Sequence, residues 1–187
     1  MVAETTQKLV SAARAAFARD GYAATSMDAL TAEAGLTRGA LYHHFGGKEG
    51  LLEAVVRQIN AELTARFEAV WEATPDKRQA FRACCEAYLE SALDPEIQRI
   101  MFIDAPAVLG QRLREIDAQG SVGAIIEALE ELAADHHVKI ADPEALARML
   151  NAAMVDLALW IAGTDKPQLI LGRAKSGLLS LMDRIGL

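Results

Sequence analysis

Residues 36–52 read LTRGALYHHFGGKEGLL and set Thr37, Arg38, Tyr42, His43, His44 and Lys48 among small or apolar neighbours. Such side chains could hold a metal, move protons in catalysis, or donate hydrogen bonds to another molecule. Metal binding is the weakest of the three. Adjacent residues on a helix point about 100° apart, so His43 and His44 cannot grip one ion together. His136 and His137, beside Asp135, also lack the i, i+4 spacing of a helical zinc site and are better placed to end a helix. Catalysis has little to stand on: the chain shows no glycine-rich phosphate loop, nucleophile elbow or metal-binding helix motif. No metal, cofactor or enzymatic activity is therefore expected, and the segment reads as a surface for another molecule.

The elements that must position this surface are helical. Leu9, Ala13, Ala16 and Phe17 fall at i, i+4, i+7 and i+8, an apolar stripe that ends near Asp20-Gly21. Thr25-x-x-Asp28 has the form of a capping box, and Leu30 with Ala34 supplies the buried face of a short helix stopped by Gly35. Thr37 caps a second short helix. Its Leu41 and Phe45, four apart, point inward and turn Arg38, Tyr42 and at least one histidine outward. Gly46-Gly47 breaks that helix, and Lys48 opens a long one through roughly Thr74, with apolar positions from Leu51 to Trp71.

Two short capped helices separated by Gly35-Leu36, the second rich in outward donors, have the organisation of a helix-turn-helix, whose second helix enters the DNA major groove. Gly39 and Ala40 suit such a helix, because a bulky side chain at either position would hold it away from the base edges. Arg38 can read guanine through a bidentate bond, while Thr37, Tyr42 and His43 can donate to phosphates or bases. Lys48, at the next helix start, combines its charge with free backbone N–H groups as a phosphate clamp, and Thr25 offers a second cap of that kind.

These spacings resemble the DNA-binding domain of the TetR family of bacterial transcriptional regulators. The likeness lies in AARAAFARDGYAATSMDALTAEAGLTRGALYHHFGGKEGLLEAV, with Tyr22 after a glycine, Thr25, the L-Y-x-x-F of Leu41, Tyr42 and Phe45, and the K-E-x-L of Lys48, Glu49 and Leu51. The resemblance implies an all-α dimeric protein, in most cases a repressor, with a variable C-terminal domain whose small-molecule effector lowers operator affinity. It places DNA contacts at Thr25, Thr37, Arg38, Gly39, Ala40, Tyr42, His43 and Lys48.

Composition agrees with that organisation. A chain of 187 residues, 52% apolar, can bury a substantial core. Residues 1–50 hold five basic and five acidic side chains, so the net charge of -7 resides wholly in the remainder. A neutral first quarter before an acidic remainder suggests two functional parts, residues 1–47 for DNA and residues 48–187 for ligand binding and dimerisation. Adjacent Cys84 and Cys85 rarely bridge each other, which suits a reducing cytoplasm. With no signal-like N-terminus and no stretch of roughly 18 apolar residues, a cytoplasmic protein without a membrane partner is expected.

Further helices are expected over about 75–93, 95–104, 108–117, 121–134, 143–162 and 167–185, with a kink or break at Ala105-Pro106. The last two are heavily apolar and carry small residues for close packing, which predicts a two-fold four-helix interface between two subunits. Phe67, Trp71, Cys85, Tyr88, Met101, Phe102, Met154 and Trp160 are candidates to line an effector cavity, with Asp104 as its polar contact. The same bulky residues at helical spacing are more often ordinary core, because bulky apolar groups fill bundles by default. An apolar or amphipathic organic effector is expected. The competing reading is a helical interaction module without DNA binding, against which Arg38, Gly39, Tyr42 and Lys48 count.

Overall fold

The structure is a computed structural model that describes residues 2–35, 37–134 and 138–187, apart from the side chains of residues 2–5, 33 and 119. Leu36 and the Asp135-His136-His137 stretch, expected at a turn and at a helix end, lie outside the described residues. Every regular element among the described residues is helical, as the periodicity predicts. The chain divides into two compact units, residues 1–61 with 95–114 and residues 62–94 with 115–187.

In the first unit, helix α1 (Val2–Asp20) buries Leu9, Val10, Ala13, Ala16 and Phe17, the predicted stripe with Val10 added. Gly21 stops it at φ +82, and its N–H bonds the Phe17 carbonyl at 2.9 Å. Helix α2 (Met27–Glu33) starts one residue later than the Thr25 capping box implies: its N-cap is Ser26, whose hydroxyl accepts from the Ala29 N–H at 3.4 Å. Thr25 is instead buried, its hydroxyl donating to the Gly21 carbonyl at 2.8 Å. The Thr25 side chain is directed back to the preceding turn, and the cap falls to the next residue.

Thr37 caps helix α3 (Arg38–Phe45) as expected, accepting from the Ala40 N–H at 3.2 Å, and left-handed Gly46 closes it. Leu41 is wholly buried. Phe45, expected inward beside it, is the last residue of the helix and stays partly accessible. Helix α4 (Lys48–Ala73) then brings Leu51, Leu52, Val55, Val56 and Ile59 into the same core. Each fully buried side chain of this size contributes about 1.5–3 kcal/mol, so three short helices are held by packing and not by their own propensity.

The unit is completed by α6 (Pro95–Ile97), a π-helix (Gln98–Asp104), α7 (Ala105–Leu109) and the start of α8 (Gln111–Gln119). At Ala105-Pro106, where a kink or a break is expected, the chain stays helical but changes its winding: the Ala105 N–H reaches back to the Ile100 carbonyl, and Pro106 sits in the first turn of α7.

In the second unit, α5 (Lys77–Ser91), α9 (Ser121–Ala134), α10 (Pro143–Ala162) and α11 (Pro167–Ile185) pack as a bundle. The start of α5 is set by Asp76, which accepts from the Gln79 N–H at 2.9 Å, and not by Pro75. Lys175 of α11 bridges Glu86 at 3.0 Å and Glu90 at 2.6 Å on α5. Arg82 holds Asp183 and the carbonyl of the buried terminal Leu187. Contrary to the sequence expectation, α10 is long and apolar enough by length and composition to cross a membrane, with a mean hydropathy of 1.4. Within the bundle its Ala147, Leu150, Met154, Ala158 and Ile161 are core. Its apolar residues serve two faces, one buried here and one left outside.

Candidate nucleic-acid interface

Helix α3 turns Thr37, Arg38, Gly39, Tyr42, His43 and His44 to solvent, with Ala40 partly covered and only Leu41 fully buried. Tyr42 is 49% exposed, a large surface for an aromatic ring that no core reason keeps outside. The Arg38 guanidinium lies 3.3 Å from the Asp28 carboxylate of α2 and 6.0 Å from the Tyr42 ring centroid. Both partners are exposed, so this ion pair is worth at most about 1 kcal/mol and an incoming phosphate or base can displace it.

Gly39 is the telling position. A glycine one residue inside a helix weakens it relative to alanine, yet a β-carbon here would meet only the Thr37 hydroxyl oxygen, at 3.9 Å. Nothing in the fold requires the missing side chain. Gly50 is the opposite case: a β-carbon there would stand 1.9 Å from the Phe45 carbonyl oxygen, so the first turn of α4 passes against the end of α3 only because residue 50 is bare.

Behind the exposed helix, a polar cluster sets the turn between α1 and α2. The Tyr22 N–H donates to Asp104 Oδ2 at 2.8 Å, and Arg99 pairs with the same oxygen at 3.2 Å. The Arg99 guanidinium fills the space above Gly21, where a β-carbon would come within 1.8 Å of it. Arg14 of α1 and Glu96 of α6 form a two-point ion pair at 3.0 and 2.8 Å. Lys48 donates to the Ala23 carbonyl at 3.3 Å and stands 4.5 Å over the Tyr22 ring. Burial draws its ammonium below the ordinary lysine range, while the Asp104 charge pushes it back up.

These contacts revise the expectations in part. Asp104, proposed as the polar contact of an effector, is buried and engaged by Tyr22 and Arg99. Thr25 presents no free hydroxyl proton. The sequence marks Gly21 as the turn but carries no local signal for Arg14, Glu96 and Arg99, because their partners lie about 80 residues away.

The expected cavity residues separate. Met101 and Phe102 are partly accessible in the first unit. In the second, Cys85 and Met154 are buried core, while Phe67 and Tyr88 face each other with ring centroids 6.4 Å apart. Trp71 carries Lys77 over its ring at 4.8 Å. Trp160, expected inside, is 42% exposed on α10 with Arg173 of α11 4.9 Å from its ring; its helical phase falls on the outward face. Burial pushes the Cys85 thiol up to about 12 and raises Cys84, so both stay protonated at neutral pH and neither is a ready nucleophile. Among the described residues no cluster of metal-ligating side chains forms.

A pair of short helices meeting through a glycine turn, the second with an exposed polar face and a bare backbone, defines a helix-turn-helix protein of the DNA-reading class. Residues 9–55 match the model of bacterial regulatory proteins of the tetR family, and residues 78–185 match the model of the tetracyclin repressor-like C-terminal domain. A TetR-family transcriptional regulator from Pectobacterium atrosepticum is 42% identical, with a TM-score of 0.89 over 100% of this chain and 96% of that one. The transposon Tn10 TetC protein of Escherichia coli is 28% identical over 96% of this chain and 93% of its own length. A structure of FadR from Bacillus subtilis in complex with stearoyl-CoA shares the fold, with a TM-score of 0.74 at 17% identity over 92% of this chain and 95% of that one. The chain belongs to the tetR family and is a DNA-binding transcriptional regulator.

Proposed function

We propose that this regulator is a cytoplasmic, non-catalytic repressor that binds a palindromic double-stranded operator as a homodimer and is released by a small apolar or amphipathic effector. Residues 1–47 read DNA; residues 48–187 carry effector and partner contacts. This functional division differs from the packing units, since residues 48–61 and 95–114 pack with the first. The DNA contacts are Thr37, Arg38, Gly39, Ala40, Tyr42 and His43 on or beside α3, with Lys48 at the start of α4. Thr25 acts by holding the turn from Gly21.

The observation that carries the reading is Gly39: an exposed helical position kept bare although the protein itself has room for a side chain. Close approach of a base edge supplies the missing reason. Gly39→Ala is therefore expected to leave Tm unchanged or slightly higher, since alanine favours a helix by up to about 1 kcal/mol, while operator binding falls. In the same shift assay, Arg38→Ala is expected to relax preference at one base position by about 1–3 kcal/mol, and Lys48→Ala to weaken specific and random DNA alike. Binding that does not strengthen as salt falls, or equal losses on both DNAs for Arg38→Ala, overturns the assignment.

The dimer reading rests on α10 and α11, which leave Met149, Leu159, Trp160, Leu169, Leu181 and Ile185 exposed at 40% or more. Gly172 and Gly177 of α11 have open space where a side chain would stand, room for a helix from a second subunit. Pairing sets two α3 helices about 34–36 Å apart, one turn of DNA, so an effector that favours a different separation lowers affinity. Leu169→Glu is expected to give a folded monomer in sedimentation with greatly weakened operator binding; an unchanged dimer rejects this face.

A further inference from the structure

Among the described residues Asp104 is the one carboxylate that the fold buries, and it stands at the end of the π-helix (Gln98–Asp104). Burying a charge is costly unless it is paired and hydrogen-bonded. Two groups converge on one of its oxygens, the Tyr22 backbone N–H at 2.8 Å and Arg99 Nε at 3.2 Å. The winding explains the second contact. Arg99 and Asp104 are five residues apart and would diverge by about 140° on an α-helix, whereas a π-helix closes its hydrogen bonds on the fifth residue and sets the two on one side. Gly21 completes the fit, because a β-carbon there would stand 1.8 Å from the Arg99 guanidinium. Arg14 and Glu96 fasten the start of the same segment to α1.

The carboxylate holds a turn, and the turn holds a lysine. With its N–H anchored on Asp104, Tyr22 fixes the backbone between α1 and α2. From that backbone the Tyr22 ring meets the Lys48 ammonium at 4.5 Å, and the Ala23 carbonyl accepts from it at 3.3 Å. The ring itself packs on Phe17 of α1, with centroids 5.5 Å apart. The Asp104 charge also favours the protonated ammonium against its partial desolvation. Lys48 is thus oriented before any phosphate arrives, and a group ordered in advance binds at a smaller entropic cost.

We propose that Asp104, presented beside Arg99 by the π-helix, is a positioning residue for DNA binding: by fixing the Tyr22 N–H it holds the ring and the carbonyl that aim Lys48 at a backbone phosphate. This rests on the reading of Lys48 as a phosphate contact and adds the group that prepares it.

Affinity for DNA selected from a random pool, measured over a salt series on the full chain, tests it. Each phosphate contact contributes about 0.9 to the steepness of log affinity against log salt. Lys48→Ala is expected to make that dependence shallower by about one contact. Asp104→Ala is expected to do the same and to weaken binding about tenfold, yet to cost little more when added to Lys48→Ala, since both remove one contact. Asp104→Asn, whose amide oxygen still accepts from the Tyr22 N–H, should restore most of the steepness. An unfolded fraction lowers apparent affinity without changing the steepness, which separates positioning from loss of fold. Arg99→Gln, at a half-exposed side chain, serves if Asp104→Ala does not fold, and is expected to lose part of the steepness. Tighter binding by Asp104→Ala, the result that removing an acid near a phosphate gives on charge alone, overturns the proposal. So does full additivity with Lys48→Ala, or an Asp104→Asn as defective as Asp104→Ala. Unchanged steepness in Lys48→Ala defeats the phosphate contact and the proposal together. A loss there without any loss in the Asp104 and Arg99 variants leaves the contact standing and defeats the positioning role alone.

Discussion

Gly50→Ala is expected to destabilise the first unit by about 3 kcal/mol, the upper part of the range for an overpacked core, and to abolish operator binding. The reason is geometric. The new β-carbon would stand 1.9 Å from the Phe45 carbonyl oxygen and 3.0 Å from its carbonyl carbon. A clashing side chain can rotate away, but a backbone carbonyl at a helix end moves only with its helix. The end of α3 must therefore shift, carrying Tyr42 and His43 with it. Gly21→Ala is a useful contrast: there the obstructing atom is the tip of the Arg99 side chain, which can move, and the strain comes from φ +82. Thermal melting and the shift assay on Gly50→Ala check the claim; a Tm and an operator affinity both close to wild type reject it.

Adjacent positions on α3 are expected to separate folding from recognition. Leu41 is fully buried, and Leu41→Ala should cost about 2–5 kcal/mol, from lost transfer energy and the cavity left in a core of short helices. Tyr42 is 49% exposed, so Tyr42→Ala should change stability by no more than about 0.5 kcal/mol while operator affinity falls about tenfold, the scale of one lost DNA contact. The pair discriminates between a helix that is merely packed and one that also faces a duplex. If Tyr42→Ala lowers Tm as much as Leu41→Ala, or leaves operator affinity intact, α3 is not the reading helix.

The exposed Arg38–Asp28 pair bears on how the free protein waits for DNA. At 3.3 Å, with both side chains largely solvated, it parks the guanidinium beside Tyr42 at little energetic expense. Lys48 is differently placed: bound to Ala23 and stacked over Tyr22, it ties the start of α4 to the α1–α2 turn. A phosphate that engaged it would meet a lysine already oriented and partly desolvated, conditions that strengthen a charge contact.

Local chemistry made much of this legible in the sequence. The apolar stripe of α1, the Thr37 cap, the Gly46 stop and the bounds of α9, α10 and α11 follow from spacing of three and four, caps and glycines, because backbone geometry converts such patterns directly into helices. The outward set on α3 follows likewise from the Leu41 and Phe45 spacing, although only Leu41 is fully buried. Capping was less certain where Thr25 and Ser26 compete, since the turn bond to Gly21 that takes Thr25 is invisible in the one-dimensional pattern.

Tertiary structure alone decided what depends on distant partners. Asp104 reads as a free carboxylate beside a proline until Tyr22 and Arg99 are brought to it, and Trp160 reads as core until helical phase and packing leave it outside. Periodicity tells which residues share a face, but long-range packing chooses what that face meets, and the energy of a polar group depends on what it meets.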